Sequence, residues 1–429
     1  MLSGALPVLL TLTGTAALVF LLARRPQWWW RKAVPAAVGG TVAVMVLAII
    51  VLAVWRPFPD ALPARVVFWA AFGVLGLALG LANAPSASWR RRAASVVAVL
   101  SMVAVTALQI NAEYAYRPTL RAALGLHNAD EVNFTAIAPP EPDPAPAPEP
   151  PKPLWQTWHP PPDQPVVGAV TQVNIPGPVS GFAGRAASLY LPPAYLSSAR
   201  PALPVLVLIS GQPGGPIDWV LAGKLATTMD SFAEQHGGLA PIVVVPDGTG
   251  APLANPLCMD SALGNVETYL AVDVPEWLKQ NLTVDPDTRH WAIGGFSYGG
   301  TCALQLALRR PRLFPTFLDI SGQEEPTLGG RARTVRLAFG GDDSKFRAVN
   351  PLDILASENF PDSAGILATG DGDLESSRQA DQVAEAARKA GMAIQVSRAP
   401  GKHSWAIATE ALSSGLPWLA ARAELLPPS

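Results

Sequence analysis

The sequence predicts a two-part chain: a four-helix membrane bundle followed by an α/β domain built on a mostly parallel sheet. Three observations predict it. Four long uncharged apolar runs are confined to residues 1–112, a proline-dense stretch follows them, and strands alternate with helices from Val166 onward. A chain of 429 residues has room for two or three domains. Its composition changes so sharply that each part is read separately.

Met1–Ala23, Ala33–Trp55, Val66–Trp89 and Ala93–Ala112 contain no Asp, Glu, Lys or Arg. A hydrocarbon core of ~30 Å takes about 20 helical residues, so each run is long enough to cross. Arg24, Arg25, Arg31 and Lys32 follow the first run, and Arg90, Arg91 and Arg92 follow the third. The positive-inside bias assigns those loops to the cytoplasm, and both termini with the α/β domain to the outside. Trp28, Trp29, Trp30, Trp55, Trp89, Tyr114 and Tyr116 fall at the ends, where amphipathic rings favour the head-group layer. A secretory signal peptide would carry a basic leading segment, and Met1–Pro7 has none, so the first run is expected to be retained. No ionisable residue lies inside a run, which gives a transporter reading nothing to rest on and leaves anchoring as the expected role.

Residues 113–165 are expected to be a linker. Between Pro139 and Pro165, 13 of 27 residues are proline, which removes donors and fixes φ, so an extended spacer of ~3.1 Å per residue is expected.

The domain at 166–429 shows apolar strand patterns at Val167–Ile175, Ala187–Leu191, Val205–Ile209, Ile242–Val245, Trp291–Ile293, Phe317–Ile320, Gly365–Ala368 and Ala393–Val396. Helical patterns lie around Ile217–Gln235, Val266–Asn281, Tyr298–Arg309, Glu375–Ala390 and Ser404–Arg422. Continuous apolar strands alternating with helices imply a parallel sheet covered on both faces, with the first two strands as an antiparallel pair at one edge. Thr334–Phe339 fits either a strand or a helix start.

The strongest chemical signal is Gly295-Phe296-Ser297-Tyr298-Gly299-Gly300, between a short strand and an apolar helix. This is the nucleophile-elbow pattern of an α/β-hydrolase fold: a tight strand-to-helix turn exposes the serine at a helix N-terminus, and small residues two positions away let the elements approach. A serine hydroxyl needs a histidine base and an orienting acid, following in the order Ser, acid, His. Of five histidines, His127 and His159 lie outside the domain, His236 and His290 precede the serine, and only His403 follows it. The acid is expected after the strand Gly365–Ala368, where Asp373 is the choice and Asp371 and Glu375 are rivals; Asp342 and Asp343, before that strand, are weaker. Two amides must face the oxyanion, and those of Tyr298 and Gln212 are the candidates, since Pro213 has no N–H.

Other chemistries find little support. A net charge of −2 without a concentrated basic surface gives no expectation of nucleic acid. Two cysteines exclude a disulfide scaffold and any Cys-rich metal site, and no cofactor is expected.

The domain resembles the esterase D family, which includes feruloyl esterases and the mycobacterial mycolyltransferases known as antigen 85 proteins. The resemblance runs over Val166–Arg422 and is carried by Asn265-Val266-Glu267-Thr268-Tyr269-Leu270 with Pro275-Glu276-Trp277-Leu278, by the elbow, and by Gly401–Trp405 with its His-Ser-Trp. It implies an α/β-hydrolase with serine and histidine at Ser297 and His403, and favours Asp373 as acid. It also implies a Cys258–Cys302 disulfide. The acidic residue and arginine with which mycolyltransferases hold trehalose match Ser210 and Pro213 here, which argues against trehalose mycolylation. Anchor and spacer are similar to those of membrane-bound actinobacterial esterases.

The expected function is acyl chemistry on an acyl ester, with water or a sugar or lipid hydroxyl as acceptor, outside the cytoplasmic membrane. The alternative is an inactive envelope-binding module that keeps the hydrolase fold.

Overall fold

The computed structural model describes residues 5–55, 62–85, 87–117, 119, 122, 133–134 and 152–428. The chain divides into two compact units, Met1–Leu126 and His127–Ser429.

The first unit is a bundle of apolar helices: α1 (Ala5–Leu22), α2 (Pro26–Ile49), α3 (Ala64–Asn83) and α4 (Trp89–Tyr114). A stripe of small residues lets α3 approach α4: Gly73 faces Thr106, Gly76 faces Met102 and Gly80 faces Val99. The bundle turns apolar side chains outward as well as inward, with Leu12, Val19, Val38, Met45, Phe68, Leu81 and Leu100 all largely exposed. A helix apolar all round needs apolar surroundings on both faces. Among the described residues three helices rather than the expected four, α2, α3 and α4, are long and apolar enough to cross a bilayer. The apolar part of α1 spans only Pro7–Leu22, which at 1.5 Å per residue is about 24 Å.

One end of the bundle is closed by a polar knot. Buried Asn83 donates to the carbonyls of Leu21 and Leu79, Arg24 donates to the Asn83 side chain at 3.0 Å, and Arg91 donates to the Ala23 carbonyl at 3.0 Å.

Residues 139–151 of the proline-dense stretch lie outside the described residues. Residues 152–165 rest on the second unit, where Trp158 donates to the Gly237 carbonyl and Asp163 accepts the Ser198 amide, both at 2.9 Å.

The second unit is an eight-stranded sheet between two layers of helix. Its strands are β1 (Ala169–Val173), β2 (Ala187–Leu191), β3 (Val205–Ile209), β4 (Ile242–Val245), β5 (Ala292–Phe296), β6 (Thr316–Ile320), β7 (Ala364–Gly370) and β8 (Ala393–Ala399), in the order β1-β2-β4-β3-β5-β6-β7-β8. β1 and β2 pair antiparallel, as do β2 and β4, and every other pair is parallel. β3 to β7 are buried throughout, as a parallel sheet covered on both faces requires, and β3 and β4 consist of Val, Leu and Ile alone. This is the α/β-hydrolase arrangement, and its parallel strands bring the loops after β3, β4, β5, β7 and β8 to one edge.

The covering helices include α5 (Leu225–Gln235), α6 (Val274–Asn281), α7 (Tyr298–Arg309), α8 (Arg331–Phe339), α9 (Pro351–Ser357), α10 (Leu374–Lys389) and α11 (Trp405–Arg422). The ambiguous stretch Thr334–Phe339 belongs to α8. The helical pattern over Ile217–Gln235 divides into Ile217–Leu221 and α5, because a Cβ at Gly223 would strike Trp219 and Lys224 takes a left-handed φ of 51°.

Candidate active site

Ser297 stands alone between β5 and α7, with φ 58° and ψ −119°. Such a conformation costs a non-glycine residue ~1–3 kcal/mol and persists only where its surroundings enforce it. Here the Ser297 amide donates to the Ile320 carbonyl at 2.8 Å, and its own carbonyl accepts from Gly300 at 2.8 Å and Thr301 at 3.1 Å. The flanking glycines are sterically required: a Cβ on Gly295 would fall on the Gly299 carbonyl, and one on Gly299 would fall on the Ile209 carbonyl. The turn can therefore form only with hydrogen at both positions.

The loops after β7 and β8 are laced together. Asp371 accepts the Gly401 amide at 3.0 Å, and Gly372 donates to the Gly401 carbonyl at 2.7 Å. Asp373 then faces His403, with Oδ2 2.8 Å from Nδ1, while its Oδ1 accepts the Ser376 amide at 3.3 Å and so caps α10. Burial alone would raise the Asp373 carboxyl, but the hydrogen bond and charge of His403, with the Ser376 contacts, outweigh it and hold the group below the usual carboxylate range. A carboxylate on Nδ1 fixes the tautomer with hydrogen there, leaving Nε2 as acceptor. The rivals are engaged elsewhere: Glu375 pairs with Arg378 at 2.8 Å, Asp343 pairs with Arg347, and Asp342 caps the short helix Asp343–Arg347.

Rings bring the imidazole to the elbow. Phe296, which precedes Ser297, lies 5.0 Å from the His403 ring and 5.1 Å from Trp405, and Trp405 meets Trp219 edge-on at 5.2 Å. Trp219 in turn donates to the Ile209 carbonyl at the end of β3. Among the described residues no hydrogen bond joins the Ser297 hydroxyl to the imidazole.

Tyr298 is the first residue of α7, a position whose amide has no intrahelical acceptor. Gln212 follows Gly211, where a Cβ would sit 3.4 Å from that of Ser297, so the loop after β3 lies against the nucleophile. The Gln212 side chain donates to the Leu253 carbonyl at 2.9 Å, tying this loop to the one after β4.

Three further interactions support the site, the last of them the disulfide that the resemblance implies. Arg185 grips buried Asp247 through Nε at 2.7 Å and Nη2 at 2.8 Å, and Asp247 also accepts the Thr249 amide. Burial would raise the Asp247 carboxyl, but the Arg185 bonds reverse this and lower it. Next to it, the Gly248 carbonyl accepts the Tyr298 hydroxyl at 2.8 Å. Second, buried Glu267 holds Arg309 at 2.6 Å and Arg310 at 2.9 Å at the far end of α7. Third, a disulfide joins Cys258, in the loop after β4, to Cys302 on α7, with Cα atoms 5.4 Å apart. Behind the elbow, Asp319 at the end of β6 is buried and pushed up to about 7, although the Gly322 amide donates to it at 2.8 Å.

A family model described as putative esterase matches residues 184–419. The chain belongs to that esterase family. An uncharacterized protein of Corynebacterium glutamicum is 35% identical over 441 residues, covering 99% of this chain and 97% of its own. The esterase unit superposes on a ferulic acid esterase with a TM-score of 0.53 at 19% identity, covering 60% of this chain and 99% of that one. It also superposes on an S-formylglutathione hydrolase of Agrobacterium tumefaciens with a TM-score of 0.50 at 16% identity, covering 60% and 96%. At these identities the structures speak for the fold, and the family match for carboxylic ester hydrolysis.

Proposed function

We propose that this chain is a membrane-anchored serine esterase or acyltransferase that works through an acyl-enzyme on Ser297. The observation that carries the reading is the 2.8 Å bond between Asp373 and His403, whose ring packs on Phe296 next to a serine in the strained elbow conformation. In the proposed reaction, Ser297 Oγ attacks the acyl carbonyl while His403 Nε2 takes its proton and Asp373 steadies the imidazolium. The amides of Tyr298 and Gln212 hold the oxyanion. His403 then returns the proton to the departing alcohol, and a second hydroxyl, from water or from a sugar or lipid, repeats the sequence in reverse to release the acyl group. An acceptor hydroxyl and water use the same groups, so partition between them depends on what the site admits.

The basic loops Arg24–Lys32 and Arg90–Arg92 support a topology in which the short α1 crosses as a fourth span beside α2, α3 and α4, which places both termini and the esterase unit outside the cytoplasm, with an envelope lipid or sugar ester as substrate.

The test is fluorophosphonate labelling of the full chain in detergent, beside Ser297→Ala and His403→Ala. Labelling of the parent alone is expected, followed by turnover of acyl esters with water or sugar acceptors. A folded parent that does not label would hand the function to the inactive binding-module reading.

A further inference from the structure

At the end of the bundle opposite the Asn83 knot, where the chain leaves for the esterase unit, the first turn of α3 and the last of α4 enclose a cavity of about 320 Å³. Its lining combines a guanidinium, Arg65, a carboxylate, Glu113, an amide, Gln109, and the rings of Phe68 and Trp69. The Glu113 side chain is only 10% exposed and pairs at 3.7 Å with Arg65, which is 75% exposed and stands at the open side of the cavity. Gln109 is fixed by donating to Thr11 of α1 at 3.0 Å, and the Trp69 carbonyl accepts Thr106 of α4 at 3.1 Å, so the walls are braced by three helices. The Trp69 ring stands edge-on between Phe68 and Phe72, which sets its orientation.

We infer that this cavity binds the neutral sugar head group of a membrane glycolipid. Its volume falls within the ~300–1,000 Å³ typical of small-ligand sites. Opposite charges in one lining cancel, so an anionic head group gains no net attraction, whereas sugar hydroxyls can donate to the carboxylate and accept from the guanidinium at once. The ring faces suit the C–H surfaces of a pyranose, and aromatic residues at this depth already sit in the head-group layer. The inference rests on reading the helices as membrane spans and is independent of the catalytic reading.

The test uses the full chain carrying Ser297→Ala, so that no bound ester is consumed. It would be reconstituted in phosphatidylcholine nanodiscs containing equal small fractions of diglucosyl-diacylglycerol and phosphatidylglycerol, with retained lipid read by native mass spectrometry. One glucosyl lipid per chain is expected in preference to phosphatidylglycerol, with retention falling about tenfold in Trp69→Leu and Glu113→Ala, a loss of ~1.4 kcal/mol of binding. Circular dichroism checks their helix content, and Phe68→Ala, on a mostly exposed side chain, keeps the test open if either variant misfolds. Equal retention of the two lipids, a preference for phosphatidylglycerol that Arg65→Ala abolishes, or retention unchanged in all variants would overturn the inference.

Discussion

Replacing Asp373 by Asn keeps the size of the side chain but lets an amide face Nδ1, which favours the wrong imidazole tautomer. kcat for a soluble aryl ester should fall by about 10³- to 10⁴-fold with KM little changed. Asp371→Asn, which weakens only the lacing to Gly401, should lose far less. The reverse ranking in steady-state kinetics would move the acid to Asp371. Sequence reading prefers Asp373 but leaves Asp371 and Glu375 as rivals within five residues, because the separation depends on which side chain turns inward once the β7 and β8 loops interlock. Ser376, with its hydroxyl 3.4 Å from Nδ1, went unnoticed for the same reason.

Asp319 makes a second residue-scale prediction, about stability. Its carboxyl is pushed up to about 7 in the folded state, against ~3.9 in the unfolded chain, so between those values the native state binds more protons than the unfolded one. The contribution of Asp319 to stability is therefore fully present below the unfolded value and is lost as pH rises through about 7. Asp319→Asn keeps an acceptor for Gly322 and should flatten that slope, a difference on the order of 1–4 kcal/mol at 1.36 kcal/mol per unit. Denaturant melts at pH 5 and pH 8 measure it, and equal slopes in parent and variant would show that the carboxyl is not taken up protonated.

At the scale of elements, the nucleophile helix is fastened at both ends, by the elbow hydrogen bonds and by Glu267, and between them by Cys258–Cys302. A link between residues 44 apart removes about 4 kcal/mol of loop entropy from the unfolded chain in the chain-entropy account. Dithiothreitol, or Cys258→Ser with Cys302→Ser, should lower the Tm of the esterase unit clearly; an unchanged Tm would mean the link acts on neither state. The elbow was legible because six consecutive residues specify it, and His403 because so few histidines compete. The Arg185–Asp247 grip and the Phe296–Trp405–Trp219 stack were not, since their members lie 62 to 186 residues apart in the chain and touch only through the sheet order. The break at Gly223–Lys224 escaped notice because periodicity continues across it while the backbone does not.

For the whole molecule, the outward-facing apolar side chains of the first unit predict membrane behaviour. Alkaline carbonate extraction should leave the full chain in the membrane pellet, and release to the supernatant would contradict the spanning reading. The division of the chain was plain in its composition, since charge-free runs and alternating strands cannot share one solvent. Span number was less plain: freedom from charge does not set apolar helix length, and the apolar part of α1 among the described residues is Pro7–Leu22, shorter than its charge-free run.

The Trp219–Trp405 pair also makes the active site visible. Two indoles fixed at right angles 5.2 Å apart form a chiral chromophore, and near-ultraviolet dichroism survives only while such packing is rigid. Because Trp405 meets His403 through Phe296, loss of that optical signal would announce that the proposed base has come adrift before any substrate is added. Every inactive variant can thus be sorted, in the cuvette, into those that lost a reacting group and those that lost the site.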